Sequence, residues 1–123
     1  MRKTALFSAL IFAFTLNADL KNSLDKEINS LMEKVIEWRH DIHQYPELGN
    51  REFRTSKKIE DHLVSLGIQV ETKIAYTGVV GLIKGGMPGP TIALRADMDA
   101  LPVEEKTGLP FASKVRTTYL GND

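Results

Sequence analysis

From Leu24 to about Gln44 the apolar residues fall at Leu24, Ile28, Leu31, Met32, Val35, Ile36 and Ile42, with charged residues between them. Steps of three and four residues predict an amphipathic helix, because one face of a 3.6-residue period carries them all. Asn22 or Ser23 is placed to cap its start, and Pro46 to close it, since the residue before a proline avoids the α region. Pro46-Glu47-Leu48-Gly49-Asn50 reads as a loop, with Asn50 a cap for a second helix that runs to Leu66. Phe53, Ile59, Leu63 and Leu66 form its apolar stripe, and Gly67 ends it as a left-handed residue.

Beyond Gly67 the period changes to two. Ile68, Val70, Thr72 and Ile74 alternate with Gln69, Glu71 and Lys73, the pattern of a strand with one wet face. Tyr76-Thr77-Gly78 turns the chain into a second strand, Val79 to Lys84, expected antiparallel to the first. Gly85-Gly86-Met87-Pro88-Gly89-Pro90 breaks the pattern, and Thr91 to Ala96, more continuously apolar, predicts a third and deeper strand. Two helices and about three strands give an α/β layered fold. That set leaves one sheet face and an apolar edge uncovered, and Gly121-Asn122-Asp123 is turn chemistry, so the domain is expected to be incomplete.

The first residues stand apart. Met1-Arg2-Lys3 is basic, Ala5 to Leu16 is almost wholly apolar, and Leu16-Asn17-Ala18 offers a small residue for cleavage. This is the layout of a secretory signal peptide over 1–18, with a mature chain over 19–123. Its apolar core, about 12 residues, falls short of the ~20 that span a bilayer, so no stable membrane anchor is expected. Export would place the protein in the periplasm or outside the cell. The 123 residues carry 16 basic and 16 acidic side chains, a formal charge of zero that argues against nucleic acid as a partner. With no cysteine, the chain has neither a disulfide framework nor a thiolate metal site.

Candidate chemistry centres on Leu94-Arg95-Ala96-Asp97-Met98-Asp99-Ala100-Leu101-Pro102. Asp97 and Asp99 share a side wherever a strand persists through them, and strand carboxyl ends are where open α/β sheets place ligands. The pair reads either as metal-proximal or base-orienting carboxylates, or as a salt bridge to Arg95 and a turn cap. His40 and His43, three apart on the first helix, could face one cation. A helix-end histidine hydrogen-bonded to a loop is the commoner arrangement, and no further ligand is evident. Glu104 and Glu105 could serve as acid/base groups but read better as exposed loop residues, His62 reads as a surface residue beside Asp61, and the glycine run as an inter-strand turn. It lacks the lysine and hydroxyl of a phosphate loop.

Three blocks carry a resemblance. They are Arg39-His40-Asp41-Ile42-His43-Gln44-Tyr45-Pro46-Glu47-Leu48-Gly49, then Glu52-Phe53-Arg54-Thr55-Ser56, then Gly78 through Leu94–Pro102 to Thr107-Gly108-Leu109-Pro110-Phe111. In order and spacing they resemble the amidohydrolase branch of the M20 metallopeptidase family, the group of hippurate hydrolases and N-acyl-amino-acid amidohydrolases. The resemblance implies the N-terminal part of an α/β/α sandwich catalytic domain. It also implies a divalent metal pair (Zn, Mn, Ni or Co) in the full-length protein, a small N-acyl amino acid as substrate, and frequent homo-oligomers. Where the wider family has His-x-Asp at the strand end, this chain has Asp97 and Asp99. Asp99 carries over as a catalytic or orienting carboxylate, and Asp97 as a weaker candidate. The branch takes its metal ligands from a Cys-Gly-His segment and later positions. None of these falls within the chain, so the 123 residues alone are expected to bind no metal and to be inactive. The alternative is a non-catalytic truncated product acting, if at all, as a protein-interaction module.

Overall fold

The computed structural model describes residues 2–118, with side chains from Asp19 onward. The predicted terminal turn at Gly121-Asn122-Asp123 lies outside the described residues, as do the side chains of the leader expected over 1–18. Helix α1 spans Arg2–Gln44 and α2 Phe53–Ser65, followed by strands β1, Gln69–Ile74, and β2, Gly78–Leu82. The chain divides into two units, Met1–Arg39 and His40–Asp123.

The first unit is α1 up to Arg39. The helix does not begin at Asn22 or Ser23 as expected; it is already formed at Arg2. No glycine or proline occurs before Pro46, and the alanines and leucines of residues 1–18 favour helix, so nothing in the covalent chain stops it. Leu24, Ile28, Leu31 and Val35 keep the predicted spacing and are exposed. Along the helix Lys21 pairs with Asp25, and Lys34 reaches Glu37 at 2.7 Å while lying 5.9 Å over the Trp38 ring. Among the described residues no helix is long and apolar enough to cross a membrane.

The second unit starts with the last turn of α1, which ends at Gln44, just before Pro46 as expected. Leu48 to Arg51 make a turn closed by the Arg51 N–H on the Leu48 carbonyl, 2.9 Å. Asn50 sits in that turn at φ 63°, a conformation asparagine tolerates. It is therefore not the helix cap; Glu52 occupies that position, and its own side chain makes no cap bond. At the other end Gly67 takes φ 72°, as predicted. The Gly67 N–H meets the Val64 carbonyl at 2.9 Å and the Ile68 N–H meets the Leu63 carbonyl at 3.1 Å. These are the two bonds of a Schellman stop.

Strands β1 and β2 form one antiparallel hairpin with Glu71 opposite Val80 and Thr72 opposite Val79, as the alternation predicts. Lys73, at φ 61°, is a bulge residue between the Thr72 and Ile74 pairs. The turn is Ala75-Tyr76-Thr77, with Ala75 and Tyr76 both at positive φ and Gly78 already in β2. The hairpin lies on α2 at Gly81. A methyl there would come within 3.2 Å of both Leu63 Cδ1 and Ile68 Cγ2, so glycine is what lets helix and strand approach. Of the predicted α2 stripe, Ile59 and Leu63 are half-buried, while Phe53 and Leu66 are exposed.

The third strand is a correction. Residues 91–99 form no ladder, and Ile92 and Leu94 are 82% and 96% exposed. Leu94, Ala96 and Met98 face Leu63, Ile68 and Val79 across an open apolar groove, yet no backbone pairing joins them among the described residues. An apolar run suited to the middle of a sheet needs hydrogen-bonding neighbours along its edges, and propensity alone cannot hold it as a strand. The described fold is thus two helices and one two-stranded sheet, an α/β arrangement with one strand fewer than the sequence predicts.

Candidate functional site

Pro46-Glu47-Leu48-Gly49 does three things at once. The Glu47 carboxylate accepts the Arg54 N–H at 2.9 Å on one oxygen and the Thr55 N–H at 2.7 Å on the other. These are the second and third residues of α2, whose N–H groups have no partner inside the helix. A negative group there also meets the positive end of the helix dipole. The Glu47 carbonyl accepts the Ala100 N–H at 2.8 Å, and Leu48 forms a parallel bridge with Ala100. Leu48 is the one apolar side chain counted as buried among the described residues, at 8% exposure. The loop therefore seats α2 with one hand and the end of the Asp97–Asp99 segment with the other.

Around this loop the last turn of α1 is tied to α2 by charge. Asp41 accepts from Arg54 at 2.6 Å and from Lys58 at 2.7 Å. The Lys58 ammonium and then the Arg54 guanidinium hold the Asp41 carboxyl below its ordinary range. Arg54 also lies 4.8 Å over the Tyr45 ring. Glu52, 6% exposed, accepts the Thr77 hydroxyl at 2.5 Å and so fastens the start of α2 to the hairpin turn. Burial pushes its carboxyl up, but the Thr77 hydroxyl and the N–H groups of Glu52, Asn50 and Arg51 outweigh that and bring it below the usual value.

Asp99 stands beside Gly49; a methyl at Gly49 would lie 3.6 Å from Asp99 Oδ2. Asp97 is ion-paired with Arg95, both guanidinium contacts being 3.0 Å to Oδ1, in an exposed position. Of the two readings of this pair, the Arg95 salt bridge is the one formed here for Asp97. His40 stacks on Phe111 with centroids 3.7 Å apart, and His43 meets the same ring edge-on at 5.5 Å. His43 Nε2 is 3.0 Å from both oxygens of Glu105. His43 thus takes the helix-end, loop-bonded role, while His40 packs against the loop by stacking on Phe111. Among the described residues no three His, Asp or Glu side chains converge as metal donors. Two metal ions need more donors than Asp97 and Asp99 supply, so the described residues do not by themselves fit the metal pair the resemblance implies.

Glu105 corrects the sequence reading: it is not an exposed loop glutamate but is mostly covered, its side chain 13% exposed. Besides His43 it accepts the Thr107 hydroxyl at 2.5 Å and the Ser113 N–H at 2.6 Å. The Thr107 hydroxyl first, then His43 and the Ser113 N–H, bring its carboxyl down from 4.5 to about 2. A carboxylate lowered on folding contributes its full stability above its unfolded value and loses it as pH falls through the folded one. The clasp should therefore be intact above about pH 4.5 and open as pH falls through about 2. Following the Ser113 amide by NMR against pH checks this; a midpoint near 4.5 would mean that Glu105 is not held. The only sequence signal was an acidic residue followed two later by threonine, which is too common to stand out.

No family model matches the chain. Individual relatives do. Thermostable carboxypeptidase 1 of Saccharolobus solfataricus is 48% identical over 99 residues, 80% of this chain and 25% of that protein. Hippurate hydrolase of Campylobacter jejuni is 46% identical over 92 residues, 75% of this chain and 24% of that protein. The crystal structure of the Bacillus subtilis YxeP protein, a dinuclear metal-binding peptidase from the M20 family, superposes with a TM-score of 0.66 at 45% identity. It covers 71% of this chain and 25% of that one. The chain belongs to the M20 family. Its described residues form the N-terminal α/β part of an M20 domain, and the chain spans about a quarter of the length of these relatives.

Proposed function

We propose that this M20 sequence serves the hydrolysis of the amide bond of N-acyl amino acids, hippurate-like compounds among them, in an exported protein. In this reading Asp99 is a catalytic or orienting carboxylate and Asp97 assists it. The observation that carries it is the anchoring of the Asp97–Asp99 segment, through Ala100, to the loop that also caps α2. An enzyme places its charged groups on backbone that is held from several sides, because loss of about 1 Å in placement costs rate. The similarity to hippurate hydrolase supports the substrate class, and the dinuclear YxeP structure supports a metal pair, whose chemistry would be to polarise the amide carbonyl and acidify water. The metal donors would come from outside the described residues. Residues 1–18 fit an export signal, and the 123-residue chain alone is expected to be inactive.

The test compares two samples in Zn²⁺ or Mn²⁺ with hippurate and N-acetyl amino acids. One is the purified 123-residue chain; the other is the product of the same gene captured from native cells. The expected result is no turnover by the chain, with metal-dependent turnover by a heavier native product that falls about 100-fold on Asp99→Asn. A native product of the chain's own size, without turnover, would overturn the proposal.

A further inference from the structure

Two contacts join the same two short stretches of the second unit. His43 meets Glu105 at 3.0 Å, and the Glu47 carbonyl takes the Ala100 N–H at 2.8 Å. The stretches 43–47 and 100–105 thus close a small ring, with Asp99 directly before its Ala100 corner. The Glu105 side of the ring is braced further. Phe111 lies against both histidines, Ser113 donates its N–H to Glu105, and Glu105 is mostly covered, its side chain 13% exposed.

On the other side of Asp99, Leu94, Ala96 and Met98 line the apolar groove with Leu63, Ile68 and Val79, but no backbone hydrogen bond holds the chain there among the described residues. Among the described residues, 83–99 form neither helix nor strand. The Arg95–Asp97 pair lies within that segment and ties it to nothing else. The backbone hydrogen bond nearest Asp99 is therefore on its downstream side, at Ala100. Loss of the His43–Glu105 contact would leave the single bond and bridge at Ala100 to hold it.

We propose that His43 and Glu105 are positioning residues: their contact closes the ring that fixes Ala100, and through it the place of Asp99. The importance of that place rests on the proposed function, but the ring itself is a property of this chain and is tested without turnover.

The experiment is amide hydrogen exchange on the 123-residue chain, comparing wild type with His43→Ala and Glu105→Ala. Opening of the ring is read at Ala100, opening of the clasp at Ser113, and general unfolding at Gly67 and Ile68 in the α2 stop. The expected result is exchange faster by about tenfold at Ala100 and Ser113 with Gly67 and Ile68 unchanged. His43→Gln, which retains a donor for Glu105, should restore much of the protection at Ala100. Faster exchange at Ser113 with Ala100 at the wild-type rate would overturn the proposal. So would uniform acceleration at all four amides in the alanine variants and in His43→Gln, since that is the mark of a general stabiliser. Failure of the turnover assay would leave these exchange results standing, and failure of the exchange test would leave the proposed reaction standing.

Discussion

Glu47→Ala is expected to lower the stability of the second unit by about 2 kcal/mol. The substitution removes both acceptors of the Arg54 and Thr55 N–H groups and the negative charge at the α2 N-terminus. Nothing replaces them locally, because the Glu52 side chain in the cap position makes no cap bond and its carboxylate accepts the Thr77 hydroxyl. Thr55 sharpens the effect. It is 2% exposed, so its N–H cannot turn to water when Glu47 is gone, and its hydroxyl already has no partner. Glu47→Gln retains one acceptor oxygen and should lose about half as much. Urea unfolding with exchange at Arg54 and Thr55 measures this. A loss well below about 1 kcal/mol would mean that α2 starts equally well without the outside carboxylate.

Gly78→Ala is expected to cost about 3 kcal/mol and to open the hairpin. A methyl at Gly78 would overlap the Ile74 carbonyl oxygen and come within 3.3 Å of the Ile74 Cβ. Ile74 is its partner in the register, so the overlap cannot be relieved by a side-chain rotation; the backbone pair itself must part. The turn has little slack to give, with Ala75 and Tyr76 already at φ 47° and 83°. Once the pair parts, Thr77 leaves Glu52, and a buried carboxylate loses its hydroxyl donor. The β1–β2 amides should lose exchange protection while the α2 stop at Gly67 and Ile68 keeps it. Retained protection across the Ile74–Gly78 pair would count against this account of the turn.

What the sequence determined by itself is whatever a short window of chain decides. The steps of three and four residues located α2 within a few positions, the alternation from Ile68 to Ile74 located β1, and Gly67 stopped the helix in the left-handed conformation expected of it. The three motif blocks identified the M20 family, because their order and spacing are properties of the chain and not of its folding. Each of these signals acts between residues a few positions apart, where the covalent geometry supplies the proximity. The start of α1 was misplaced for the same reason. A capping residue marks where a helix could begin, but only a breaker obliges it to, and none precedes Pro46.

The tertiary structure alone decided where the polar side chains went and whether the apolar segment at 91–96 found a partner. Glu47 reads as a loop glutamate until α2 folds back over it, Asn50 reads as a cap until the Leu48–Arg51 turn claims it, and Glu105 gains His43 from 62 residues away. Carboxylates and imidazoles form bonds with any donor brought near them, so their type predicts that they will be satisfied and not by whom. An apolar strand is equally indifferent. Thr91 to Ala96 has the composition of a central strand, but a ladder exists only when a second backbone lies about 4.8 Å alongside, and among the described residues none does. Period and propensity are written in the order of residues; pairing depends on which distant groups the fold delivers to the same place.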